Sequence, residues 1–218
     1  MISRQFREEV LFMRRSPFLF FCATLALGQV PHQHHPPSPD EYAKVLEDPS
    51  RDEWQKPHDV VMALGLKSNE TVADIGAGTG YFARRFATHA GKVYAVDIDE
   101  KLLGIARDHA PANLETILAA PDDPRLVAGT IDTVFFCDVL HHIDNRPAYY
   151  AKLAKALKPD GRIVVVDFYK KELPVGPPPE MKIAEEDLIA EFRNAGFALA
   201  KRLDILPYQY FLFFERRK

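Results

Sequence analysis

From residue 41 to the end of the chain, hydrophobic and polar positions alternate between short apolar runs and longer amphipathic stretches. Thr71–Ile75, Val93–Val96, Leu114–Leu118, Thr130–Cys137 and Ile163–Val166 are short and rich in β-branched or aromatic residues, which predicts strands. Thr130–Cys137 is apolar almost throughout, the pattern of a strand buried on both faces. Tyr81–Ala90, Glu100–His109 and Ala148–Leu157 read as helices, as does Glu185–Ala195 with Gly196 at its end. Ahead of them, Asp40 is expected to cap a helix at 41–47, and Pro57 to open one that Gly65 stops after Leu64. Lys158-Pro159-Asp160-Gly161 reads as a turn. Strands alternating with helices predict parallel βαβ units in a doubly wound α/β sheet. Phe197–Ile205 and Tyr208–Glu215 have no helix between them, so they predict an antiparallel hairpin at the sheet edge. The expected fold class is α/β, with a seven-stranded, mostly parallel sheet and N-terminal helices covering it.

The first 40 residues follow neither rhythm. Arg14 and Arg15 precede an uncharged, mostly apolar run at 18–28 that closes on Ala26-Leu27-Gly28, a small-x-small pattern. A basic start, a short apolar stretch and a small-residue exit predict a secretory signal peptide at 1–28, and with it export to the periplasm or beyond. If the segment is an ordinary helix instead, the protein stays in the cytoplasm. The apolar run is far short of the ~20 residues that span a bilayer, so no stable membrane span is expected once it is cleaved. Residues 29–40, with Pro31, Pro36, Pro37 and Pro39 among His32, His34 and His35, read as an extended linker.

Composition narrows the chemistry. The 28 basic and 31 acidic residues among 218 give a formal charge of −3, so no nucleic-acid partner is expected on electrostatic grounds. Cys22 and Cys137 are the two cysteines, too few for a disulfide framework or a thiol-rich zinc site, and no metal site is expected. The informative stretch is Val72-Ala73-Asp74-Ile75-Gly76-Ala77-Gly78-Thr79-Gly80, at the first strand-to-helix junction. Glycines there allow a tight turn and a close approach of the backbone to a ligand. Asp97 ends the next strand, where a carboxylate can accept hydrogen bonds from both ribose hydroxyls of a nucleoside. A pyrophosphate-binding turn has Gly-x-Gly-x-x-Gly, whereas here the third glycine comes one residue early and Tyr81 stands in the expected place. Asp74 is unfavourable beside a pyrophosphate and useful toward an ammonium. A ligand with a ribose at one end and an amino-acid head at the other fits better than a dinucleotide.

At this point the chain resembles the class I S-adenosylmethionine-dependent methyltransferases, a Rossmann-like family, over roughly residues 57–216. Asp74-Ile75-Gly76-Ala77-Gly78-Thr79-Gly80 is close to the family's first motif, and Val96-Asp97-Ile98-Asp99 to its second-strand motif. Asp138-Val139-Leu140-His141-His142-Ile143 resembles the segment after its fourth strand, and Leu157-Lys158-Pro159-Asp160-Gly161-Arg162-Ile163 the turn before its fifth. The resemblance makes 41–218 one methyltransferase domain with S-adenosyl-L-methionine as cofactor and a small molecule as acceptor. It implies that Gly76, Gly78 and Gly80 border the methionine portion, that Asp74 orients its ammonium, that Asp97 holds the ribose and that Ile98 packs on the adenine. It places Cys137 and Asp138 along the methionine end and the methyl exit. Relatives often carry Gly-Asp after the third strand; here Ala119-Ala120-Pro121 stands there, leaving Asp122 either to substitute or to cap a helix.

Because the sulfonium methyl is already activated, the protein's main task is alignment. A base is needed only if the acceptor carries a proton to be removed, and Asp138, His141 and His142 are the candidates. Tyr149 and Tyr150 read as packing. The segment from Asp167 to Glu180, with Pro174, Pro177, Pro178 and Pro179, leaves the fifth strand as a stiff arm expected to border the acceptor, and Lys170 and Lys171 on it suit an anionic one. Tyr42, Trp54 and His58 are expected to cover the cofactor from the N-terminal helices. Two other readings stay open at this level: a non-catalytic protein that binds the same cofactor, and a nicotinamide-dependent oxidoreductase, which the glycine spacing disfavours.

Overall fold

The structure is a computed structural model, and it describes residues 38–108 and 110–217. The signal-peptide expectation, and the linker up to residue 37, lie outside the described residues. The element order is α1 (Pro39–Leu46), α2 (Arg51–Gln55), α3 (Pro57–Leu64), β1 (Thr71–Ile75), α4 (Tyr81–Phe86), β2 (Lys92–Asp97), α5 (Glu100–Asp108), β3 (Leu114–Leu118) and β4 (Ile131–Cys137). A short 3₁₀ turn at Leu140–His142 leads to α6 (Arg146–Ala156) and β5 (Leu157–Phe168). A second, Pro179–Met181, leads to α7 (Glu185–Asn194), β6 (Phe197–Leu203) and β7 (Gln209–Arg216).

The seven strands form one sheet in the order β3-β2-β1-β4-β5-β7-β6. The first five are parallel, and β7 runs antiparallel between β5 and β6, so β6 is the outer edge. The hairpin is thus present, with its second strand folded inward. Adjacent residues alternate between the two faces, as strand geometry requires. Phe136, Val165 and Leu212 pack with Tyr150, Leu153 and Phe192 from α6 and α7. Phe135, Val164 and Phe211 pack with Val60, Leu64 and Phe86 from α3 and α4 on the other side. Both faces are covered, and β4 is buried along its length as its apolar run predicts.

Local differences from the sequence reading have physical causes. Helix α1 is capped by Ser38 and not by Asp40: Ser38 and Glu41 form a capping box, which satisfies two backbone donors reciprocally. Helix α2 has no hydrophobic periodicity in the sequence and exists because its side chains bond to the sheet edge. Lys158–Gly161 is absorbed into β5 as an irregularity, since Leu157 pairs with Ile131 but Arg162 pairs with Thr133. Strand β5 runs on through Phe168, so Asp167 belongs to the sheet and the proline arm begins after it.

Candidate cofactor and methyl-transfer site

The carboxyl ends of the five parallel strands share one edge, where an open α/β sheet binds its ligands. At the end of β1 the chain turns through Gly76 and Gly78, both with positive φ (70° and 54°). A Cβ on Gly76 would lie 2.2 Å from Val139 Cγ2, and one on Gly78 would lie 2.8 Å from Leu46 Cδ1. Glycine is therefore required at 76 by conformation and by space, and favoured at 78 by its left-handed φ, since Leu46 Cδ1 is the movable end of a side chain. Gly80, also left-handed, opens α4. The Gly78 N–H donates to Asp97 Oδ2 at 2.7 Å, tying the turn to the end of β2, and the Asp99 N–H donates to Oδ1 at 3.0 Å. Ile98 follows with its side chain turned out, 61% exposed. Asp74 is buried beneath the turn. Burial pushes its carboxyl up to about 8, against the pull of the Ala83 N–H and of Arg51. The set could suit an adenosyl amino acid: a buried acid under a glycine turn, a carboxylate at the end of β2 and an exposed apolar side chain beside it.

At the end of β4 lies a second group. Asp138 adopts a left-handed φ of 58°, a conformation that costs a non-glycine residue roughly 1–2 kcal/mol and is held here by its surroundings. Its N–H donates to the Val166 carbonyl, and Gln209 donates to Asp138 Oδ1 at 2.7 Å. Burial raises the Asp138 carboxyl far above the usual range, and Asp167 nearby adds to the rise. Gln55 donates to Gln209 at 2.6 Å, and Arg51 donates to Gln55 at 3.1 Å, completing a chain of hydrogen bonds from α2 through β7 to Asp138. Cys137 is half-buried beside this chain, with Gln55 Nε2 3.3 Å from its sulfur; burial of the thiol and Asp138 push its pKa up, which disfavours it as a nucleophile.

His141 and His142 stack at 4.1 Å between ring centroids. The His141 side chain is 5% exposed, and its Nδ1 lies 3.9 Å from Asp167 Oδ2; neither atom has a hydrogen-bond partner. His142 is exposed, and its pKa is lowered by partial burial and by His141. Tyr149 and Tyr150 are buried packing residues, with Tyr150 donating to Glu191.

The N-terminal helices do close over this edge. Glu47 accepts from Thr79 of the glycine turn, and its two carboxylate oxygens accept from Arg84 Nη2 at 2.7 and 2.9 Å. Tyr81 donates to Asp52, and the Arg51 guanidinium lies over the Tyr81 ring at 4.1 Å. Trp54 packs on Phe168 with ring centroids 5.6 Å apart. Burial raises the Tyr42 pKa, with Asp97 and Asp138 adding to the rise, while His58 is exposed.

Asp74, Gly76, Gly78, Gly80, Asp97 and Ile98 thus gather around one turn, with Cys137, Asp138, His141 and His142 at the adjoining strand end. Asp122 does not join them. Its side chain is 80% exposed and paired with Lys152, and it caps no helix, because Ala120 and Asp123 close a small bridge there. Arg51, Gln55, Gln209 and Glu47 went unnoticed in the sequence. They sit in segments without a motif; the packing of α1 and α2 brings the first two and Glu47 to the strand ends, and the pairing of β7 with β5 brings Gln209. Among the described residues no cluster of acids, histidines and cysteines is arranged to hold a metal, and no helix is long and apolar enough to cross a membrane.

Comparison with known proteins agrees with this fold. Residues 73–165 match the family model for the methyltransferase domain. A crystal structure of an S-adenosylmethionine-dependent methyltransferase from Aquifex aeolicus superposes with a TM-score of 0.76 at 26% identity, covering 83% of this chain and 99% of that one. The demethylmenaquinone methyltransferase of Tropheryma whipplei is 33% identical over 107 residues, 48% of this chain and 44% of its own. Phosphoethanolamine N-methyltransferase 3 of Arabidopsis thaliana is 28% identical over 127 residues, 55% of this chain and 25% of its own. The chain thus spans less than half the length of these curated relatives. Residues 73–165 thus match a methyltransferase domain, and the sheet that carries them is similar to that of an S-adenosylmethionine-dependent methyltransferase.

Proposed function

We propose that the protein transfers a methyl group from S-adenosylmethionine to a small-molecule acceptor. The observation that carries this reading is the bond from the Gly78 N–H to Asp97, with Asp74 buried beneath the same turn. It supports the reading because a carboxylate, a glycine turn and a buried acid adjoin one another there. The cofactor supplies an already activated methyl, and the chain's own residues supply binding, alignment and exclusion of water. Asp97 receives the ribose hydroxyls, Ile98 the adenine face, and Asp74 with the backbone of Gly76, Gly78 and Gly80 the amino-acid head.

At the methyl end, Asp138, His141 and His142 form the wall that the acceptor meets. His142 is kept neutral by its lowered pKa, so its free ring nitrogen can take a proton from an acceptor hydroxyl, amine or acidic carbon. His141 and Asp138 lie behind it and polarise that wall. Relatives named for demethylmenaquinone and phosphoethanolamine support a small acceptor.

Calorimetry with S-adenosylhomocysteine and NAD tests the reading. S-adenosylhomocysteine should bind and NAD should not, and Asp97→Ala should weaken the former about tenfold or more, since charge-assisted hydrogen bonds contribute ~1.5–3 kcal/mol. Binding of NAD alone would overturn it, and an Asp97→Ala protein with unchanged affinity would refute the ribose role.

A further inference from the structure

A cavity of about 550 Å³ lies outside the cofactor turn, among the Leu140–His142 turn, the arm that follows β5, and α7. Its mouth carries exposed charges of both signs, Lys170, Glu180 and Asp187. Deeper in its lining are His141, Lys182 and Ile183. Lys182 is 3% exposed. Its ammonium donates to the Lys171 carbonyl at 2.8 Å and stands 5.6 Å from the centre of the Phe168 ring. Among the described residues, no carboxylate lies within 4.0 Å of it.

That is an unusual arrangement. Charged side chains are buried almost only when paired, because an uncompensated ion in a protein interior is strongly unfavourable. Arg146, on the same cavity wall, follows the rule: Glu191 meets it with both oxygens at 2.7 Å. Lys170 and Lys171 follow it differently, by staying in solvent. Lys182 does neither, although an ammonium has three donors and the Lys171 carbonyl uses one. The same cavity reaches His141, whose Nδ1 is itself buried and unbonded opposite the unbonded Asp167 Oδ2. Lys182, buried without a counter-ion, and His141, whose Nδ1 has no partner, are both lining residues of one small-molecule-sized space.

We propose that this cavity is the acceptor pocket, and that Lys182 binds an oxyanion on the acceptor, a carboxylate or a phosphate, while the rest of the molecule reaches the histidine end. The inference rests on the methyltransferase reading for calling the ligand an acceptor; the oxyanion site itself stands on the cavity and Lys182. The bond to the Lys171 carbonyl gives Lys182 a second task, since it ties the start of the proline arm to its end. Gly176 in that arm packs against the Phe168 ring, where a Cβ would come within 2.7 Å, so the arm, Phe168 and Lys182 form one packed wall.

Titration of the full protein with benzoate, phenyl phosphate and neutral benzamide, with and without saturating S-adenosylhomocysteine, tests the proposal. At least one of the two anions should bind more tightly than benzamide, and which one does tells carboxylate from phosphate. Lys182→Met should weaken that anion about tenfold or more, the loss expected for a charged hydrogen bond. Lys182→Arg should retain it, and both variants should keep the wild-type affinity for S-adenosylhomocysteine, which also reports that they fold. Equal binding of benzamide, or anion binding unchanged in Lys182→Met, would overturn the proposal and leave Lys182 as a tie for the arm. Failure of the wild-type protein to bind S-adenosylhomocysteine would overturn the methyltransferase reading instead, while the anion titrations without it would still decide the oxyanion site.

Discussion

Asp74 is the residue on which sequence and structure agree most usefully, because its surroundings turn a motif position into a measurable property. Its folded carboxyl sits at about 8, well above the ordinary 3.8, since burial disfavours the charge. Folding therefore favours its protonated form. The stability it contributes to the ligand-free protein is full below the ordinary carboxylate range and is lost as pH rises toward 8. An ammonium-bearing ligand reverses the preference by stabilising the ionised acid. Affinity for S-adenosylhomocysteine should consequently climb from pH 6 to about 8, and Asp74→Asn should flatten that climb. Calorimetry across the pH range checks both, and a wild-type profile as flat as the variant's would refute the ammonium role.

At the scale of elements, the short helices α1 and α2 do what the long ones do not: they close the functional edge. They are held by polar contacts, with Glu47 on the glycine turn, Arg51 on Gln55, and Gln55 on Gln209. Gln209→Leu would leave both Gln55 and Asp138 buried without that partner. Such losses cost about 1–3 kcal/mol each, so the urea midpoint should fall clearly, and a variant as stable as the wild type would show that the chain of bonds carries no weight. The proline arm is the other element of interest. Replacing residues 170–180 by a short Gly-Ser linker should spare S-adenosylhomocysteine affinity, because the glycine turn and Asp97 lie at β1 and β2 while the arm leaves β5. Loss of cofactor binding with the sheet intact would move the arm into the nucleotide site.

For the whole molecule, the open sheet sets the carboxyl ends of β1, β2 and β4 along one edge, and the antiparallel β7 brings Gln209 beside Asp138 across β5. The export expectation belongs at this scale too. Expressed in a bacterium, the protein should appear outside the cytoplasm with a first residue at or near Gln29, read by N-terminal sequencing; an intact Met1 in the cytosolic fraction would overturn it.

What the sequence determined by itself was local and periodic. Strands β1 and β3 stand within the residues their apolar runs mark, and α3 runs from Pro57 to Leu64 as its proline and glycine require. The glycine turn, Asp74 and Asp97 were legible because a tight turn and a strand end impose residue types at fixed spacing. Tertiary structure alone decided which residues far apart in the chain meet. Sequence spacing cannot show that β7 lies inside β6, that Arg51, Gln55 and Gln209 converge on Asp138, or that Asp122 turns to Lys152 and solvent. Nor can it show that Lys182 is buried without a carboxylate beside it, since a lysine after a proline-rich stretch reads as solvated until its neighbours are known. The physical reason is common to all four. Periodicity and turn chemistry act along the backbone over a few residues, whereas burial and pairing depend on contacts across the sheet that exist only once the chain has packed.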